Sequence, residues 1–235
     1  LGLWVALQID LAARHPESAE RARAGRLVAL MTPVIKAHFT DWGSEVTNLA
    51  LQCFGGYGYI NDTGVEQFVR DVRITQIYEG TNGIQALDLV RRKLTQGDGA
   101  GVREFLDLVA QSIAAAEVDA AIAPMAHALR KALHALEEAT AWMQKRAGAE
   151  VVDAAGGASD YLRLFGLVSL GWVWLEYAQI ASHAVSKGAG ARAFYEHKLS
   201  VGRFYMRRIL PEASVLLERA TLGAADLMGF SGEDV

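Results

Sequence analysis

The sequence predicts an all-α protein, and three observations carry that prediction. Apolar residues recur at spacings of three and four over long stretches, strand-like alternation is sustained nowhere, and only four prolines interrupt 235 residues. Hydrophobic residues make up 51% of the chain and charged residues 21%, enough apolar surface to bury a substantial core.

The elements follow in order. Residues 2–13 read as a helix in a chain that opens "LGLWVALQID", in helical rhythm and without a methionine. That opening is expected to be a cut inside a larger protein, because a signal peptide would need a basic n-region and a small-residue cleavage pattern. Ser18 or Glu17 starts a second helix reaching about Phe54, with Leu27, Leu30, Met31, Val34 and Ile35 on one face. Pro33 falls inside it and is expected to kink or restart it, since proline lacks an N–H and crowds the preceding turn. "GGYGYINDTG", residues 55–64, breaks the pattern; helix resumes over 65–72, and "RITQIYEGT" is an irregular or short extended link. Thr81 is the expected N-cap of a helix from Asn82 to about Leu94.

"TQGDGAG", residues 95–101, is the strongest boundary in the chain, with three glycines and no large apolar side chain. It divides a first helical unit, 1–94, from a second, 102–235. Helices near 102–119, 122–149, 159–187 and 191–220, divided by Pro124, "AGGAS" and "KGAGA", suggest an up-and-down bundle.

Composition excludes some functions. A net charge of −4 without a basic block gives no reason to expect a nucleic-acid partner. "LFGLVSLGWVWL", residues 164–175, falls short of the ~20 apolar residues a bilayer requires. Arg163 and Glu176 bracket it, so a buried core helix is expected and no transmembrane segment. Trp172, Trp174 and Tyr177 read as core or interface aromatics. Cys53 is the only cysteine, which excludes an intrachain disulfide and fits a reducing compartment, the cytoplasm. Its place at the end of an apolar helix reads as a small buried hydrophobe. The six histidines lack partners at ligand spacing and no Glu-x-x-His occurs, so no metal site is expected. His127 and His134 share a helix face without a third ligand nearby.

The chemistry-bearing stretch is "QCFGGYGYINDTGVEQFVRDVRITQIYEGTNGIQ", residues 52–85. A carboxylate just before a helix cap, as Glu79 is, ordinarily contributes only about 0.3–1 kcal/mol of charge–dipole stabilisation. Gly55, Gly56 and Gly58 would ordinarily be a C-cap and turn. Arg70-Asp71 reads as a structural ion pair or cap. The ordered series is more specific than any of its parts: Gln52-x-x-Gly55-Gly56-x-Gly58-Tyr59, then Glu66, Arg70-Asp71 and Ile77-Tyr78-Glu79-Gly80-Thr81. It resembles the C-terminal helical domain of the acyl-CoA dehydrogenase family. "DYLRLFGLVSLGWVWL" and "FYEHKLSVGRFYMRRILP" resemble the extra C-terminal domain of its longer bacterial members, so the likeness covers nearly the whole chain. Gly64, where relatives often have proline, and Gln67, where a basic residue is common, depart from the pattern in the helix linker.

The resemblance implies an FAD-dependent oxidation of an acyl-CoA thioester to the trans-2-enoyl-CoA. Glu79 matches the base that removes the α-proton while hydride leaves for the flavin. Tyr78 and Gly80 match residues beside the bound substrate, and Thr81, Asn82 and Gly83 the flavin-contacting turn. Gln52, Cys53, Phe54, Gly55 and Gly56 match the segment along the FAD of a neighbouring subunit. The resemblance further implies a homo-oligomer, an electron-transferring flavoprotein as electron acceptor, and further domains upstream of Leu1. The isolated chain is therefore expected to bind FAD weakly or not at all and to be inactive. An α-proton beside a thioester is a poor acid, so its base must be positioned and partly desolvated, with Ile77 and Tyr78 the expected apolar surrounding. Two rival readings are a non-catalytic helical assembly module, which leaves the ordered series unexplained, and a flavin-dependent acyl-CoA oxidase of the same fold, which would release peroxide.

Overall fold

The computed structural model describes residues 1–188 and 190–229; Ala189, inside the predicted "KGAGA" break, and residues 230–235, the end of the second unit, lie outside the described residues. Helices follow one another without a strand among the described residues. They are α1 (Gly2–Arg14), α2 (Ser18–Cys53), α3 (Gly56–Tyr59), α4 (Val65–Arg73), α5 (Asn82–Asp88) and α6 (Ala100–Ala116). After these come α7 (Ala123–Ala149), α8 (Val151–Gly156), α9 (Ala158–Ser186), α10 (Arg192–Phe204), α11 (Ala213–Ala220) and α12 (Ala225–Met228). The all-α prediction holds.

Helix α2 organises the residues before the 95–101 segment. The predicted stripe of Leu27, Leu30, Met31 and Val34 is buried, while Ile35 is only half-buried. The expected restart at Pro33 does not occur, for α2 is one helix of 36 residues. An interior proline costs about 3 kcal/mol. Burial of Leu30, Met31, Val34 and the proline ring itself offsets that cost. Past His38 no residue of α2 is buried. Its last turns emerge from the core, which corrects the reading of Cys53: the thiol is exposed. The link after α4 opens with a 3₁₀ turn, Ile74–Gln76, and runs on irregularly to Thr81, the first of the two expected alternatives and not the extended one. Helix α5 begins at Asn82 and runs into a π turn, Leu89–Lys93, where the Leu94 N–H donates to the Leu89 carbonyl at 3.0 Å. Leu89, Val90 and Leu94 all reach the core.

The 95–101 segment forms a tight turn in which Gly97, Asp98 and Gly99 have φ of 59°, 54° and 76°. One apolar cluster contains Leu27, Leu30 and Leu89 from before it and Phe105, Leu136 and Phe165 from after it. Helix α9 lies at its centre and packs against α2, α5, α6, α7, α10 and α11. Phe165 stacks on Phe105 with ring centroids 5.0 Å apart, and Trp172 meets Trp4 edge-on at 5.0 Å. Such pairs contribute about 0.5–1.5 kcal/mol beyond the area they bury. The predicted core role of Trp172 is thus met, while Trp174 and the part-exposed Tyr177 pair at the periphery. By length and hydropathy α9 would suffice to cross a membrane, yet most of that apolar stretch is buried among its neighbours.

The predicted helix over 191–220 is interrupted. Helix α10 passes into a π turn, Tyr205–Ile209, then a 3₁₀ turn, Leu210–Glu212, before α11. Pro211 cannot donate to the Arg207 carbonyl, and here the chain opens around the defect rather than running through it.

Candidate functional site

The site is built where α4 hands the chain to α5. After the 3₁₀ turn the Ile77 N–H donates to the Ile74 carbonyl at 2.9 Å, and the chain must then reverse before α5 can start. Two consecutive left-handed residues do this: Glu79 at φ 53° and Gly80 at φ 87°. The left-handed region is costly for a residue with a Cβ, so Glu79 is strained and Gly80 relieves the next position. A Cβ at Gly80 would also lie 2.8 Å from Gln85 Nε2.

Side chains from α2 hold this turn from behind. Lys36 Nζ donates to the Gly80 carbonyl at 2.7 Å and to Asn82 Oδ1 at 2.8 Å. Asn82 Nδ2 donates to Thr40 Oγ1 at 2.9 Å and to Asp41 Oδ1 at 2.6 Å. Asp41 Oδ1 also accepts from Gln76 Nε2 at 2.6 Å, and Gln85 Nε2 donates to the Glu79 carbonyl at 3.2 Å. Thr81 caps α5 as expected, its hydroxyl oxygen accepting from the Ile84 N–H at 3.4 Å.

The predicted residues thus divide into those that build the turn and those that stand free of it. The Glu79 side chain is exposed and makes no hydrogen bond or ion pair with the described residues. The apolar enclosure expected from Ile77 and Tyr78 is not formed by this chain: they are 48% and 50% exposed, because the left-handed turn leaves both at a rim without a facing wall. Gly83 and Thr81 are exposed, and the Thr81 hydroxyl keeps its hydrogen for an outward bond. Asn82 differs from expectation in that its side-chain oxygen and nitrogen are both engaged by α2, leaving its backbone as the part it can offer a ligand.

Gln52, Cys53, Phe54, Gly55 and Gly56 lie at the far end of α2, all exposed. Gly55, at φ 60° and ψ −144°, occupies a region essentially restricted to glycine and turns the chain into α3. From Asp41 or Lys36 to Gln52 the helix rises about 16–24 Å. The two predicted segments therefore do not converge in one chain. Between them an open groove of about 940 Å³ runs along α2 and α4, lined by Asn48, Leu51, Tyr59, Glu66, Arg70 and Ile77 among others. Glu79 is not among its lining residues. Arg70 and Asp71 form no ion pair with each other, since neighbours on a helix point about 100° apart; Asp71 accepts instead from Gln67. Gly64 has φ 68°, which a proline could not adopt. A more enclosed apolar cavity of about 310 Å³ between α7 and α11 contains none of the site residues.

Sequence reasoning missed Lys36, Thr40, Asp41 and Gln85. Lys36 and Thr40 are spaced i, i+4 beside the buried stripe of α2, so they share a face that a second element could dock on. That spacing was the available signal.

A helical fold with an exposed acid on a strained, externally braced turn is the context in which the comparisons fall. Residues 12–94 match the family model described as acyl-CoA dehydrogenase, C-terminal domain, and residues 104–231 the one described as acetyl-CoA dehydrogenase C-terminal like. The chain belongs to the acyl-CoA dehydrogenase family. It is 34% identical over 91% of its length to a 3-methylmercaptopropionyl-CoA dehydrogenase of Ruegeria pomeroyi, covering 36% of that protein. It is 29% identical over 77% of its length to the broad-specificity linear acyl-CoA dehydrogenase FadE5 of Mycobacterium tuberculosis, covering 31%. Over 33% of the chain it is 45% identical to a probable acyl-CoA dehydrogenase, fadE25, of Mycobacterium leprae, covering 20%. The chain spans about a third of the length of the first relatives it matches.

Proposed function

We propose that this chain is the C-terminal part of an FAD-dependent acyl-CoA dehydrogenase, in which Glu79 removes the α-proton of an acyl-CoA thioester. The observation that supports this best is the commitment of the turn. Gly80, Asn82 and the Glu79 carbonyl are all tied down, while the Glu79 carboxylate is left unbonded and presented outward. A base needs that combination of fixed backbone and free oxygen, because positioning counts for much of its effect.

FAD, when bound, supplies the hydride acceptor for the β-carbon. The chain's residues fit a large planar group in two places. A Cβ at Gly55, Gly56 or Gly83 would meet nothing within 4 Å, so the backbone there is open to close approach from outside. The exposed Thr81 hydroxyl and the backbone of Asn82 and Gly83 would face the flavin of the same site, with Tyr78 and Gly80 beside the substrate. Gln52, Cys53, Phe54, Gly55 and Gly56, well removed along α2, would lie along the FAD of a neighbouring subunit in a homo-oligomer. The apolar wall that Glu79 lacks in this chain would come from the remainder of the protein, and an electron-transferring flavoprotein would reoxidise the flavin.

Glu79→Gln in the intact protein is the test. Acyl-CoA dehydrogenation followed with an artificial electron acceptor should fall about 10²–10⁴-fold, the range ascribed to a general base. The flavin absorbance of the purified variant should stay at the wild-type level. Undiminished turnover would end the assignment of Glu79.

A further inference from the structure

Residues 36–42 of α2 do two tasks, with Lys36 and Thr40 on one side, His38 and Trp42 on the other, and Asp41 between them. Lys36, Thr40 and Asp41 hold the Glu79 turn. His38 and Trp42 face the second helical unit. His38 is 2% exposed, makes no hydrogen bond, and has a buried Nε2 without a partner. Only shape fixes it. Its ring lies so close over Gly166 of α9 that a Cβ there would come within 2.3 Å of the ring Cγ and 2.4 Å of Nδ1. Trp42 continues the contact, 5.4 Å from the His38 ring and 6.3 Å from Tyr205, whose hydroxyl donates to the Leu167 carbonyl at 2.8 Å. Helix α5, which starts at the turn, also packs on α9.

We infer that the second helical unit positions the Glu79 turn, acting through the close fit of Gly166 against His38. Lys36 and His38 are about 200° apart around a helix of 3.6 residues per turn, so displacement at one moves the other as a rigid body. Hydrogen bonds weaken steeply with misalignment, so a small shift of α2 loosens the Lys36 and Asn82 contacts together. His38 and Gly166 are positioning residues. The catalytic consequence rests on the reading of Glu79 as the base; the mechanical coupling does not.

Hydrogen exchange tests the coupling directly at the Ile84 and Gln85 amides, which donate to the Thr81 hydroxyl and carbonyl. Gly166→Ala, with helical circular dichroism unchanged, should raise exchange in peptides covering those amides by about tenfold or more, the mark of a loosened local unit. Gly166→Ala with His38→Ala, whose added methyl enters space the ring vacates, should return toward wild type. If Gly166→Ala does not fold, His38→Ala alone should still raise exchange at the turn. Changes confined to the α2–α9 contact, with the turn unmoved in either variant, would overturn the inference. In the intact protein, Gly166→Ala should lower kcat with little change in KM, recovered in the double variant; unchanged kcat beside altered exchange overturns the catalytic half. Should Glu79→Gln retain activity while the turn still responds to Gly166→Ala, the reading of Glu79 fails and the coupling stands.

Discussion

Two turns in this chain place an acidic residue in the left-handed region before a helix: Glu79 at φ 53° and Asp98 at φ 54°. Backbone strain does not distinguish them. Asp98 is flanked by Gly97 and Gly99, and its carbonyl accepts from Arg103 a few residues ahead; Gln144 of α7 reaches only the Leu94 carbonyl at the edge of that turn, so Gly97, Asp98 and Gly99 are held by their own neighbours. The Glu79 turn is braced mainly from another helix, by Lys36, Thr40 and Asp41, more than forty positions away for some pairs. Strain closed locally serves the chain path. Strain imposed from a distance fixes a side chain in space, and that is what makes the Glu79 turn a candidate site.

The largest expected break in this comparison comes from removing the brace. Lys36→Met deletes the donor to Gly80 and Asn82 and, on the proposed function, should lower kcat/KM of the intact protein about 100-fold, the scale of an ångström-sized misplacement. Steady-state kinetics checks it, and Arg103→Met beside the other turn should have no such effect.

The brace should also depend on pH through its rear contact. Burial, reinforced by nearby Arg163 and opposed by Asp41, lowers the pKa of His38 to about 4. The unfolded chain therefore binds a proton there between about pH 6.5 and 4 that the folded chain refuses. The stability His38 gives as a neutral ring is full above that window and lost as pH falls through it, about 2 kcal/mol between pH 7 and 5. Thermal melts at the two pH values should show the loss, and His38→Leu should flatten it.

Gly80→Ala should cost about 1–2 kcal/mol, the penalty of a left-handed alanine, measurable by urea denaturation. The smallest effects sharpen the contrast most. Glu79→Gly and Asp98→Gly should each raise stability by up to about 1 kcal/mol in the same assay, by relieving a left-handed side chain. Activity should vanish with the first and survive the second. Equal outcomes at both positions would erase the distinction between the turns.

Much of this was legible beforehand, for physical reasons that differ by residue. Thr81 marks a helix start through local chemistry and caps α5 as expected, and α2 starts at Ser18, one of the two expected positions, without a side-chain cap. Pro33 and Pro211 carry the same local signal and met opposite fates, because the outcome depends on packing that distant residues supply. Glu79 could be singled out from its motif, whereas its left-handed backbone and its exposure could not. The bracing side chains were illegible, since Lys36 and Asn82 are brought together only by the tertiary fold. Cys53 is exposed where a buried residue is expected, because the apolar periodicity of α2 outlasts the core it packs on.

Helix α2 is also a lever. Gripped at His38 between the turn and α9, it projects onward to Cys53 without any buried residue, an arm of about 22 Å flanked by α3 and α4. A tilt of roughly 5° at the grip swings the Gln52–Gly56 corner by about 2 Å, on the scale of the 1.5 Å rise of one helical residue. One hinge point would thus set the aim of both predicted segments at once, and any partner that seats on the tip feels the fit at Gly166.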